Sequence, residues 1–421
     1  MKIQEKLLVN KHFSRALVAL AFVLVTQLSN AQKLVGVLCK PVIEMDNKLY
    51  PSYVWANSTR NYLTSDTKDE DRTYFGDSEG QFGVDITYLK LGSATVKVVI
   101  ECPQIMQTSS YTAFLNGKHT EYEIFPEIAY KWDYLSTVTQ PFPANVTFTV
   151  YANEQLIMQA TKVITVRSVN DCPFAFVHRT GIIHDMNFMY AAYVNEHHPV
   201  ITNELLPQIM RTGIINSIAG YQSNDTKEVF RQVFSVWHNL RQRGLKYSSL
   251  SSSNNSPSYT SPLTLHQFVR MPSESLRSQQ ANCVDGTVLF ASILYRMSIH
   301  PLITVTPSHC WLGFYGDESH KQLFFLETTL VGTQVPSQNL QQVTQLDIYD
   351  KTLDQLYGDS YRTFLLAIQI GLQNYNEHKD KFLTNLTNSL FSKDVPIASL
   401  QYQLFEIDKY RKEGLLPIKS Y

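Results

Sequence analysis

Two hydropathy periods divide the chain. Over residues 33–167 the pattern is alternation: Ala94–Glu101, 145–152 and 155–167 switch between apolar and polar at nearly every step, and Asn116-Gly117 and Asn153-Glu154 offer turns. Half-buried strands require this, because their successive side chains point to opposite faces. The pattern predicts a β-sandwich-like module over 32–170, roughly of immunoglobulin size. After Asp171-Cys172-Pro173 the period lengthens to that of a helix, at 201–218 and again at 226–243. In the second segment Val229, Phe230, Val233, Phe234, Trp237 and Leu240 form one stripe; Asp225 and Glu228 supply a start signal and Gly244 a stop.

Further on, an apolar helix is expected to open at Cys283, with Asn282 as its N-cap, and to run through Val284, Val288, Leu289, Ile293 and Leu294. Residues 302–315, interrupted at Pro307, and 321–328 read as a hairpin that turns through 316–320. Centring it on Glu318 sets Tyr315 opposite Lys321 and His309 opposite Glu327. Helical periods return at 363–390, with interruptions, and at 397–412, where the Tyr, Phe and Leu spacing reads as packing. The expected fold is therefore α+β: the β module, a mixed domain over 171–350, and a C-terminal helical segment over 351–421. The Ser/Asn-rich residues 248–261 read as a surface loop.

The start of the chain changes the compartment. Lys2, Lys6, Lys11 and Arg15 precede the apolar run 16–26 and then Ser29-Asn30-Ala31, the layout of a cleavable signal peptide over 1–31. The run is about half the ~20 residues that a spanning helix needs, so no integral membrane segment is expected after its removal. The protein is expected to be exported, periplasmic or extracellular.

With 421 residues, 44% hydrophobic and 17% charged, the chain has enough material for more than one core. Its net charge of −1 gives no electrostatic footprint for nucleic acid. Cys39, Cys102, Cys172, Cys283 and Cys310 are too few and too scattered for a disulfide framework or a zinc-ligand motif, although the first three leave room for one bridge. His184-Asp185 and Glu196-His197-His198 lack the helical histidine pair of a zinc site, and His300 before Pro301 reads as structural. Neither a metal nor a cofactor is expected.

The chemistry concentrates between Gln279 and Thr329. A thiol nucleophile needs a base beside it, and the base needs a third group to orient it. Cys283, His309 and Glu327 supply these in order. Each alone has an ordinary structural explanation; in this order and on one hairpin face they read as a Cys-His-Glu triad, with Glu327 accepting the imidazole Nδ1–H. The helix start that carries Cys283 offers free backbone N–H groups to an oxyanion. Gln280 and Asn282 are candidate additional donors, and Trp311 a candidate wall of the substrate cleft. Cys310 falls on the face opposite His309 and reads as core.

These residues resemble the transglutaminase-like superfamily, with its papain-like core. The resemblance rests on Cys283 opening a helix, on Ser298-Ile299-His300-Pro301 at the helix end, on His309-Cys310-Trp311, and on Glu327-Thr328-Thr329, and it covers about residues 200–330. Ser298 stands where the family often has Gly, and Glu327 where it usually has Asp. The resemblance implies a thioester intermediate on Cys283 and hydrolysis or acyl transfer at amide bonds of a peptide or protein substrate. It implies no single substrate, since exported members of the superfamily with an N-terminal β module have no well-defined activity. The competing expectation is a catalytically inactive papain-like scaffold, with the β module binding protein or glycan.

Overall fold

The computed structural model describes residues 36–59, 73–77, 80–89, 92–117, 119–177, 183–249, 263–336, 342–388 and 402–418. The expected signal peptide and most of the polar segment 248–261 lie outside them. The chain divides into two compact units, 1–49 with 62–135 and 141–166, and 50–61 with 136–140 and 167–421. Helices and strands are both abundant, so the fold is mixed α+β.

The first unit contains two sheets. One joins Val37–Ile43 (β1), Phe82–Tyr88 (β4), Glu121–Phe125 (β7) and Tyr74–Gly76 (β3) in that order. The other joins Lys48–Leu49 (β2), Gln155–Val166 (β9), Phe142–Ala152 (β8), Ala94–Glu101 (β5) and Ser109–Leu115 (β6). Along β5 every second residue is buried, as the alternation requires. Asn153 and Glu154 both take positive φ, 48° and 67°, the geometry of the tight turn that joins β8 to β9. Asn116-Gly117 closes no hairpin, because the strands on its two sides, β6 and β7, belong to different sheets.

In the second unit the helix α1 (Thr226–Gln242) starts where Asp225 Oδ1 accepts the Lys227 N–H at 2.9 Å, and ends at Gly244, φ 79°. The helix expected over 201–218 is shorter. A π-turn at Ile201–Leu205 leads into Leu206–Arg211, and Gly213 at φ 70° follows it; Pro207 has no N–H for the regular ladder. A short helix, α2 (Pro272–Ser278), precedes α3 (Cys283–Arg296), in which Val284 to Leu294 are all buried. Burial on every side marks α3 as the central helix, and each of its large apolar side chains contributes about 1.5–3 kcal/mol. At its end Ser298 takes φ 60°, a conformation that favours glycine.

Beside α3 lies an antiparallel four-stranded sheet. Its strands are Pro301–Val305 (β10), Cys310–Tyr315 (β11), Leu323–Leu326 (β12) and Gln403–Glu406 (β13), in the spatial order β12-β11-β10-β13. The expected strand 302–315 is thus two strands folded back on each other. Pro307 interrupts it, and the Thr306 N–H reaches the His309 carbonyl at 2.8 Å to close the turn. Two further expectations are corrected. The segment 397–412 is not helical throughout, since β13 pairs with β10 before a short helix at Ile407–Lys412. The long helix α4 (Asp359–Asn388) runs thirty residues without interruption. All five cysteines are free thiols, so the bridge allowed for among Cys39, Cys102 and Cys172 is absent. Among the described residues no helix is long and apolar enough to cross a membrane.

Candidate active site

Cys283 occupies the first position of α3, half-buried, directly after its N-cap. The cap is reciprocal: Asn282 Oδ1 accepts the Asp285 N–H at 2.8 Å, and Asp285 Oδ2 accepts the Asn282 N–H at 3.0 Å. Arg270 neutralises the fully buried Asp285 through a 2.6 Å ion pair and a backbone N–H at 2.8 Å. Burial raises the Asp285 carboxyl above its ordinary range, and these hydrogen bonds with Asn282 and Arg270 oppose the shift. The cap consumes the third N–H of the helix. The first two, on Cys283 and Val284, have no acceptor within the helix, as at any helix start.

His309 ends the β10–β11 turn, and Glu327 directly follows β12. Their side chains meet at 2.6 Å, His309 Nε2 to Glu327 Oε2, and the Cys283 side chain lies close enough to act on the charge of the ring. The carboxylate thus meets Nε2 rather than the expected Nδ1. Burial works against protonating this ring, but its interactions with Cys283 and Glu327 outweigh it and lift His309 to about 10. An imidazolium at neutral pH is the partner that a thiolate needs.

The register differs from the expected one by two residues: Tyr315 pairs with Leu323, and Leu312 with Leu326. The turn is centred one residue later because the Gly316 N–H bonds the Gln322 carbonyl at 2.8 Å, while Asp317 Oδ1 accepts the Gln322 N–H at 2.7 Å. An even slip keeps every side chain on its face. His309 and Glu327 therefore still share a side, but as diagonal neighbours, which long side chains can bridge.

Glu327 is held from three directions. Its Oε1 accepts the Thr329 hydroxyl at 2.6 Å and the Thr329 N–H at 3.1 Å, and Oε2 accepts the Asn374 amide of α4 at 3.2 Å. Its own N–H reaches the Ala367 carbonyl of α4 at 3.0 Å. Helix and strand come this close because of Gly371, where a Cβ would lie 2.8 Å from the Phe325 carbonyl carbon and 2.9 Å from the Leu326 nitrogen. Gly286 does the same for α3, where a Cβ would stand 3.0 Å from Thr328 Oγ1.

The remaining expected site residues have other positions. Trp311 is buried, stacked on His309 with centroids 5.5 Å apart and edge-on to Phe382, so it backs the imidazole from the core side. Asn282 spends its carboxamide oxygen on the cap, and its amide is buried without a protein partner. Gln280 is exposed on the two-residue strand Gln280–Ala281, parallel to Lys246–Tyr247. Cys310 is buried in the core, which pushes its thiol well above the ordinary range.

No protein-family model matches the chain, and no curated protein is significantly similar to it. Two of its residues carried no signal in the sequence. Asn374 sits in a helix whose pattern spoke only of packing, and it reaches Glu327 only across the tertiary contact at Gly371. Tyr247, 46% exposed, lies where burial, and then the charges of Cys283 and Glu327, raise its hydroxyl above the ordinary value.

Proposed function

We propose that the protein is an exported cysteine enzyme of transglutaminase-like type, acting on amide bonds of peptide or protein substrates through Cys283, His309 and Glu327. The observation that carries this reading is the 2.6 Å contact between a half-buried imidazole and a buried carboxylate, with a cysteine at a helix start close enough to act on the charge of the same imidazole. Cys283 thiolate adds to the substrate carbonyl, and the negative charge moves to the carbonyl oxygen, facing the free N–H groups of Cys283 and Val284. As the intermediate collapses the C–N bond breaks, and the imidazolium of His309 gives its proton to the departing amine. A thioester remains. Water or a second amine then attacks it, His309 takes the proton from that nucleophile, and the thiolate is released.

Glu327 keeps the imidazole oriented and stabilises its charge. Thr329 and Asn374 fix the carboxylate in turn. Half-exposure of Cys283 and 30% exposure of the His309 side chain leave the reacting atoms reachable from solvent. The test is alkylation of Cys283 by iodoacetamide across pH, followed by mass spectrometry, in wild type and His309→Ala. In wild type the rate near pH 7 should be high and should depend on His309. In the variant it should be at least about tenfold slower near pH 7 and climb with pH as for an ordinary thiol near 8.5. Equal, slow labelling of both proteins would favour the inactive scaffold.

A further inference from the structure

At the end of the sheet away from Cys283, three potential metal ligands converge from three separate elements. His300 precedes β10, His320 lies in the β11–β12 turn, and Asp408 sits in the first turn of Ile407–Lys412. Among the described residues this is the one such group, and its ligand atoms all lie within 4.8 Å of one another. We propose that His300, His320 and Asp408 form a transition-metal site, for zinc first. Two imidazoles and one carboxylate suit zinc or its neighbours and are poor ligands for calcium or magnesium. Adjacent ligands on a tetrahedral zinc stand roughly 3.3 Å apart, as bond lengths of about 2.0–2.1 Å require, so small side-chain rotations close the cluster on an ion. Three protein ligands leave one position for water.

The surroundings are built to hold these groups. The His300 N–H donates to the Tyr221 hydroxyl at 2.8 Å, and that hydroxyl donates to the Tyr315 carbonyl at 3.0 Å. The Tyr315 ring stacks on His320, centroids 4.0 Å apart and 10° from parallel, and so fixes its plane. His320 itself takes φ 57°, a backbone cost accepted where glycine would be free. Asp408 pairs with His300 and lies close enough to Tyr295 to act on its hydroxyl. Several neighbouring charges are negative. Asp317 and Glu318 act on Tyr221 together with Asp408, and Glu406 accepts the Tyr315 hydroxyl at 2.7 Å. Arg411, 3.7 Å from Glu196, is a cation that acts on Tyr295.

The site is distinct from the triad. Cys283 and Tyr295 stand twelve residues apart on α3, roughly 18 Å at ~1.5 Å per residue. A metal here would tie the C-terminal strand and helix to the hairpin that carries His309, a structural role independent of acyl transfer. The full chain, stripped with EDTA, is titrated with zinc chloride against a chromogenic chelator, beside His320→Ala, Asp408→Asn and Cys283→Ala. Circular dichroism shows which variants are folded. One zinc per chain at micromolar or better affinity is expected in wild type and in Cys283→Ala, with at least about a tenfold loss in the two ligand variants. Absence of binding to wild type, unchanged binding in both ligand variants, or loss in Cys283→Ala would each overturn the proposal; the last would put the metal on the triad.

Discussion

At the residue scale, the site depends on the length of one side chain. The shifted register makes Glu327 a diagonal neighbour of His309, and an acid one methylene longer than Asp spans that diagonal. The length of Glu327 thus fits the register found here. Its partner carries a direct consequence. His309 is raised to about 10, burial being outweighed by the interactions with Cys283 and Glu327, so the ring holds its proton through the neutral range and loses it as pH rises through about 10. A raised histidine stabilises the fold fully below its unfolded value of about 6.5, and that contribution is lost as pH passes the folded value. Nuclear magnetic resonance of the His309 Cε1–H should show one titration near the upper value, moving to lower pH in Glu327→Gln. A ring that titrates at the ordinary value in wild type would contradict the assignment.

At the element scale, the acid is placed by a helix far along the chain. α4 lies against β12 at Gly371, and one turn later its Asn374 reaches Glu327. Any β-carbon at 371 meets backbone atoms rather than a flexible side chain, so the helix itself must move. Gly371→Val is expected to lower stability by about 1–3 kcal/mol through overpacking and to slow Cys283 alkylation as Glu327 loses its setting. Urea unfolding and the labelling rate measure the two effects. Stability lost with labelling unchanged would show that α4 supports the fold and not the acid. Local signals read α1 and α3 correctly because caps, apolar stripes and stop residues are written in adjacent positions. They misread 302–315, where the reversal at Pro307 depends on a hydrogen bond from Thr306 to His309. They misread 397–412, where pairing with β10 overrides helical spacing.

At the scale of the whole molecule, the second unit is closed by its last elements. β13 covers the edge of β10, whose five residues are all buried, and the helix after it brings Asp408 beside His300. A chain ending at residue 401 would leave β10 as an open apolar edge, the arrangement that drives strand-to-strand aggregation. It is expected to yield mostly insoluble protein and to unfold at a lower urea midpoint than the full chain. A soluble truncated chain of equal stability would show that β13 is dispensable. By itself the sequence determined the two textures, the capped helix that opens at Cys283 and the order of thiol, imidazole and carboxylate, because each is set by neighbours along the chain. Only the tertiary structure decided which imidazole nitrogen meets Glu327, that Asn374 holds the acid, and that His300, His320 and Asp408 converge. Those contacts join residues 18, 47 and up to 108 positions apart, and distances that long are fixed by strand register and helix packing rather than by local pattern.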